Sequence, residues 1–144
     1  MTKEVGKSSP CQQDTTDTNT IIEGVTLVRV EVAGLARDLL GKSWYVRVGT
    51  DGDQIFGLSQ QGPDYNGYLS ALHTGIIKAL PDLDDTEESG VVDLDVDDPV
   101  TQGTTPGRVR LWVDGVDDPK DILGHVHTPV QEDDPNQYIQ IRMD

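Results

Sequence analysis

Two histidines separated by one residue are the groups in this chain best suited to hold a metal ion. His125 and His127 flank Val126, so both imidazoles would lie on one face of a strand, where successive side chains alternate. Glu132 follows five residues after His127, and His73 could supply a third nitrogen. Such nitrogen and oxygen ligands suit zinc, iron or manganese. The alternative is that the two histidines are polar residues on the wet face of a strand.

The segment from His125 to Glu132 resembles the first metal motif of cupins, a His-x-His pair followed by a nearby glutamate. The resemblance covers only these eight residues and lacks the glycine that normally follows. The residues before Asp144 also leave no room for the second cupin motif and its histidine. It implies a cupin-like metal-binding protein or metalloenzyme with His125, His127 and Glu132 as ligands.

No catalytic nucleophile stands out, and we expect no enzymatic activity and no cofactor. There is no Gly-x-Ser-x-Gly elbow, and Cys11 lies in a polar segment. Residues 36–43, ARDLLGKS, fit a loose phosphate-loop pattern, but a strand-like run follows where that loop requires a helix. We therefore predict an ordinary turn at this position.

A row of aspartates is a candidate site for cations. Asp93, Asp95 and Asp97 alternate with apolar residues, and Asp98 is adjacent, so the carboxylates could gather cations on one strand face at a subunit boundary. The segment lacks the glycine and glutamate of a calcium-binding EF-hand loop. The alternative is a solvated strand face.

Aromatic residues are candidates for contacts with partners, because tyrosine and tryptophan are enriched in interface hot spots. Tyr45 and Trp112 are the residues we select. Trp112 should point away from the side that Val109, Leu111 and Val113 share. The alternative for Trp112 is a sheet that is covered on both faces.

Alternating apolar residues predict the strands that position these groups. The predicted strands are 25–33, 44–48, 54–59, 92–96, 109–113, 122–127 and 138–143. The pair Asp51-Gly52 is a hairpin signal between the second and third of them. Leu69, Leu72, Ile76 and Leu80 have helical spacing, which predicts one helix between Asn66 and Pro81.

Together these elements predict a mainly β fold: a single antiparallel sandwich, jelly-roll or barrel-like domain over residues 20–144, with one inserted helix. Residues 1–19 are polar and predict a flexible or docking N-terminal arm. Val5 and Pro10 are the arm residues that we expect to contact a neighbouring subunit, by adding to its sheet or wrapping around it.

The charge balance limits the classes of partner. Among 144 residues, 26 are aspartate or glutamate and 11 are lysine or arginine, for a formal net charge of −15. Nucleic acids and anionic membranes require a positive surface, so neither is an expected partner. In composition the chain resembles proteins of halophilic archaea or of their viruses, because concentrated salt screens such a surface.

These features favour a structural or assembly subunit of a virion, such as a capsid penton, decoration or connector protein, which binds other copies of itself or other virion subunits. The resemblance to small virion proteins is one of composition and fold. A virion is then the expected location, with the cytoplasm of a halophilic host as the alternative. A cellular protein-binding module and the cupin-like metal protein are the alternative functions.

Overall fold

The computed structural model describes residues 6–82, 94–129 and 137–144. These residues form ten strands in two sheets. The strands are β1 (Ser8–Gln13), β2 (Thr26–Arg29), β3 (Trp44–Val48), β4 (Gly57–Ser59), β5 (Tyr68–Leu72), β6 (Gly75–Ala79), β7 (Pro99–Gln102), β8 (Val109–Leu111), β9 (Gly124–Thr128) and β10 (Ile139–Met143). Within these ranges the helical structure is one short 3-10 helix, Pro119–Asp121.

The first sheet closes into a five-stranded barrel in the order β1-β3-β2-β4-β5. β1 and β3 run parallel, and the other neighbours run antiparallel. The interior is filled by apolar side chains that alternate with outward-facing ones along each strand. Among them are Cys11, Leu27, Val46, Val48 and Leu69.

The second sheet is antiparallel, in the order β6-β10-β9-β7-β8. Its buried face includes Val100, Val126 and Ile141, and this core also takes in Leu58 and Leu72 from the barrel. The two sheets therefore share one apolar layer. The mainly β prediction is confirmed and one sheet is a barrel, whereas the jelly-roll alternative is not confirmed.

The predicted helix between residues 66 and 80 is wrong, because this segment forms β5 and β6. Burial follows period two and not the helical spacing: Leu69 and Ala71 face the barrel interior, Ile77 and Ala79 face the second core, and Ile76 is exposed. Gly75, the first residue of β6, has a φ of 120°, a conformation that interrupts a helix.

Part of the predicted N-terminal arm belongs to the barrel. Ser8–Gln13 form β1, which pairs with both β3 and β5. The arm prediction is wrong for these residues because a barrel strand can be polar on its outer side, and Cys11 alone supplies a fully buried side chain here. Residues 1–5, and therefore Val5, lie outside the described residues.

Two local predictions near acidic residues also differ from the structure. Residues 94–98 form a turn and no strand, so the described part of the predicted strand 92–96 is wrong; Asp93 lies outside the described residues.

The Asp51-Gly52 turn is present, closed by a 3.0 Å bond from the amide of Asp53 to the carbonyl of Thr50. It joins β3 to β4, which are not neighbours, since β2 lies between them.

Candidate docking surface

The connection between β2 and β3 is a loop with internal backbone hydrogen bonds, among them Val32 with Leu35 and the amide of Gly41 to the carbonyl of Asp38. Its tip is closed by Asp38, whose Oδ1 accepts the amides of Lys42 at 2.8 Å and Ser43 at 3.3 Å. The amides that a phosphate would need are thus already bound to a carboxylate, and β3 follows without a helix. These contacts favour the predicted ordinary turn over a phosphate loop.

Two adjacent leucines lie at the tip of this loop with their side chains in solvent. Leu39 is 87% exposed and Leu40 is 77% exposed. Single exposed leucines are common on protein surfaces, whereas two adjacent ones form a small apolar patch that a partner could cover. The hydrogen bonds to Asp38 fix the loop that presents them.

At the base of the loop, Trp44 lies against two arginines. The guanidinium carbon of Arg37 is 4.1 Å from the centroid of the Trp44 ring, and that of Arg29 is 4.5 Å from it. A backbone bridge between Arg37 and Trp44 holds the two sides of the loop together. Both guanidinium groups therefore lie over the aromatic ring, where their N–H donors can bind other partners.

Neither Arg29 nor Arg37 has a carboxylate within salt-bridge distance in the described part of the chain. This is notable in a protein with a net charge of −15. Three other arginines do have such partners: Arg47 with Asp53, Arg110 with Asp117, and Arg142 with Asp97 and Asp144.

We call Arg29, Arg37, Leu39, Leu40 and Trp44 the loop surface.

A hydrogen-bonded cluster supports the inner side of the loop surface. Phe56 packs edge-on against Trp44, with ring centroids 6.0 Å apart, and against His73 at 4.5 Å. Nδ1 of His73 is 2.8 Å from the carbonyl oxygen of Phe56, and Nε2 is 2.7 Å from Oγ of Ser9. Sequence reasoning did not identify this cluster, because its members come from four separate segments.

The predicted contact residues lie at different places on the surface. Tyr45 follows Trp44 on β3 and is half-buried, and Pro10 is exposed on β1 opposite Ser70. Trp112 follows the edge strand β8; it is half-buried, and its Nε1 donates to the carbonyl of Asp118 at 3.0 Å. Of these three residues, only Tyr45 is adjacent in sequence to a residue of the loop surface, Trp44. The roles of Tyr45, Pro10 and Trp112 in binding stay predictions.

The histidine pair lies on β9, as the alternation predicts. Val126 is fully buried on one face of the strand. His125 and His127 share the other face, where His125 is half-buried and His127 is exposed. Glu132 lies outside the described residues, and in the described ranges no group of three potential ligands forms a metal site. Both ring nitrogens of His73, the predicted third ligand, have hydrogen-bond partners in the barrel.

The acidic residues after 93 form a compact turn. The carboxylate of Asp98 accepts the amide of Asp95 at 2.8 Å, and Asp97 has a φ of 71°, in the left-handed region. Asp97 lies 3.9 Å from Arg142. A row of carboxylates along one strand face, as predicted for cation binding, is therefore absent from residues 94–98.

Comparison with protein-family models, with curated proteins and with solved structures found no match to this chain. In the part of the chain that the structure describes, no helix has the length and hydrophobicity needed to cross a membrane.

Proposed function

We propose that this chain is a non-enzymatic assembly subunit that binds other copies of itself through the loop surface. The observations that carry the proposal are the adjacent exposed leucines of the loop between β2 and β3 and the two arginines over Trp44, which lack carboxylate partners among the described residues. Leu39 and Leu40 offer apolar area, and Arg29 and Arg37 offer hydrogen-bond donors that fit carboxylates.

The chemistry of this surface specifies an acidic partner with some apolar area. Another copy of the chain meets this requirement, because 26 of its 144 residues are aspartate or glutamate. Arginine is suited to such contacts because its planar guanidinium binds a carboxylate through two parallel hydrogen bonds. Trp44 would add an aromatic residue of the kind that is common at interface centres.

We further propose that the assembly is a virion of a salt-rich environment, with this chain as a capsid, decoration or connector subunit. The acidic composition and the small mainly β domain support this assignment by analogy alone. A cellular protein-binding module remains the alternative, and it differs in predicting a monomer in molar salt.

Native mass in molar salt, measured by light scattering, tests the proposal. We expect an oligomer for the parent chain and a monomer for two variants, Leu39→Ser with Leu40→Ser and Arg29→Gln with Arg37→Gln. Val116→Ser is the matched control, since Val116 is 78% exposed in the turn after β8. A monomeric parent chain, or loop variants with the mass of the control, would overturn the proposal.

A further inference from the structure

The turn between β4 and β5 carries the most exposed aromatic residue in the described part of the chain. Tyr65 is 99% exposed, so its ring makes almost no contact with its own chain. Asp64 closes the turn, because its Oδ1 accepts the amides of Asn66 at 2.8 Å and Tyr68 at 2.9 Å. Its carbonyl also accepts the amide of Gly67 at 2.9 Å. We call residues 64–67 the tyrosine turn.

The tyrosine turn and the loop between β2 and β3 extend in opposite directions along β1. Trp44 lies opposite Cys11 and β3 runs parallel to β1, so the loop tip that precedes Trp44 extends back towards the start of β1. The tyrosine turn lies at the other end, because Gln13, the last residue of β1, donates its amide to the carbonyl of Gly67 at 2.9 Å. A contact between the loop tip and this turn therefore joins two copies of the chain.

The two sites carry opposite charges. Asp64 is exposed in the tyrosine turn, and Asp14 directly follows β1, whose last residue donates its amide to the turn. Within the described residues, neither carboxylate has a lysine or arginine at salt-bridge distance. The loop surface supplies Arg29 and Arg37, which lack carboxylates in the same ranges. Each site thus offers the charge that the other can bind.

The loop surface also has the groups that a tyrosine ring can contact. Arg37 is exposed, and its guanidinium carbon lies 4.1 Å from the centroid of the Trp44 ring. The part of the guanidinium that Trp44 leaves uncovered can contact a second aromatic ring. Leu39 and Leu40, which follow closely in the chain, add exposed apolar area. Tyrosine is a common anchor at such contacts because it buries a large ring and keeps a polar hydroxyl.

We propose that copies of this chain assemble head to tail, with the tyrosine turn of one copy docked on the loop surface of the next. Tyr65 packs against Leu39, Leu40 and Arg37, and the carboxylate of Asp64 pairs with an arginine. A contact between two different surfaces leaves one of each free on every dimer, so it builds rings or chains. The inference rests on the proposed self-assembly and specifies which face of the second copy meets the loop surface.

Mixing two blocked variants tests this contact in molar salt. Leu39→Ser with Leu40→Ser blocks the loop surface and leaves the tyrosine turn intact, whereas Tyr65→Ser does the reverse. We expect each variant alone to be monomeric. An equimolar mixture should double in mass by light scattering, because one contact is restored and neither free end can extend the dimer. The control is a variant with all three changes, which should stay monomeric when it is mixed with either of the other two.

Two results would overturn the inference. A Tyr65→Ser variant with the mass of the parent chain would mean that the loop surface binds another face, such as the loop surface of a second copy. Two monomeric variants that stay monomeric when mixed would mean that the two surfaces do not bind each other. The parent chain separates these results from a failure of self-assembly, because an oligomeric parent with either result contradicts only the head-to-tail contact.

Discussion

Ser9 and His73 are joined by a 2.7 Å hydrogen bond between Oγ and Nε2. Nδ1 of His73 faces the carbonyl oxygen of Phe56, which can only accept, so Nδ1 carries the proton and the Ser9 hydroxyl donates to Nε2. His73 directly follows β5, Ser9 lies in β1, and Phe56 precedes β4. The imidazole therefore ties β5 to both of its neighbours in the barrel.

We predict a stabilising role for this pair and no nucleophilic one. Ser9→Ala should lower the free energy of unfolding by about 1 kcal/mol, because a net hydrogen bond is lost. Chemical denaturation measures the change, with Ser8→Ala as the control, since Ser8 is exposed on the same strand. A serine that is hydrogen-bonded to a histidine can also be an activated nucleophile. Covalent labelling of Ser9 by a fluorophosphonate would contradict the structural role.

Two arginine–aspartate pairs predict loss of stability in acid. Hydrogen bonding from Arg110 lowers the pKa of Asp117 below its ordinary value, against the opposing effect of burial. For Asp53, burial is the largest single effect and raises the pKa, but bonds from Arg47 and Thr50 together outweigh it and lower the pKa. Folding is thus stabilised above the unfolded pKa of about 3.9, and the stabilisation is lost as pH falls through the lower folded values.

Asp117→Asn tests this pH dependence. At pH 7 the variant should lose about 1–3 kcal/mol of unfolding free energy, since charge-assisted bonds are broken. Below the folded pKa the parent chain has lost the same contribution, so the difference between the two proteins should shrink. Asp114→Asn, in the same exposed turn, should change little. A difference that stays constant from pH 7 to pH 2 would contradict the prediction.

The strands with regular alternation were predictable from sequence. In β3 and β10 one face is fully apolar and the other polar, so burial of one face decides both the strand and its orientation. The helix error at 66–80 arose because Leu69, Leu72, Ile76 and Leu80 have helical spacing, whereas burial follows period two and leaves Ile76 exposed. Sequence gives no means of knowing that a chain leaves one sheet at Gly75 and enters the other, because that choice depends on long-range pairing.

The docking surface was only partly accessible to sequence reasoning. Tyr45 was selected, but Trp44 forms the aromatic centre because Arg29 and Arg37 reach it from two other positions. The sequence signal for this surface was the pair of adjacent leucines, which stand in a segment without strand alternation. The salt bridges of Arg47 with Asp53 and of Arg110 with Asp117 also had a sequence signal. Val46-Arg47-Val48 and Val109-Arg110-Leu111 are each followed by Asp-Gly and a further aspartate.

Cys11 should be unreactive in the folded protein. Burial raises the pKa of its thiol to about 11, against a smaller lowering effect of the Ala71 backbone. At pH 8 its thiolate fraction is then more than about 100-fold below that of an unfolded cysteine with a pKa near 8.5. We expect labelling by a disulfide reagent to proceed at the rate of barrel opening and to become rapid in denaturant. Fast labelling of the native protein would contradict burial in the barrel.

The excess of carboxylates predicts stabilisation by salt. At about 0.1 M salt the screening length is about 10 Å, so unpaired carboxylates repel across the surface, whereas molar salt shortens it to about 3 Å. We expect the Tm to rise by several degrees between these conditions. Sucrose, which favours burial without screening charge, is the control. Equal Tm values in dilute and molar sodium chloride would contradict the expected screening.

A buried polar contact couples the barrel to the second sheet. The hydroxyl of Thr26 on β2 donates to Oε1 of Gln102 on β7, and Nε2 of Gln102 donates to the carbonyl of Gly103 at 2.9 Å. Thr26→Val leaves Oε1 buried without this donor, so we expect a loss of about 1–3 kcal/mol. Thr26→Val combined with Gln102→Met should cost less than the sum of the two single changes, because both remove the same bond. Ile141→Val shares no hydrogen bond with Thr26 and should be additive with Thr26→Val within about 0.5 kcal/mol. Additive losses for Thr26 and Gln102 in denaturant unfolding would mean that this hydrogen bond does not couple the two sheets.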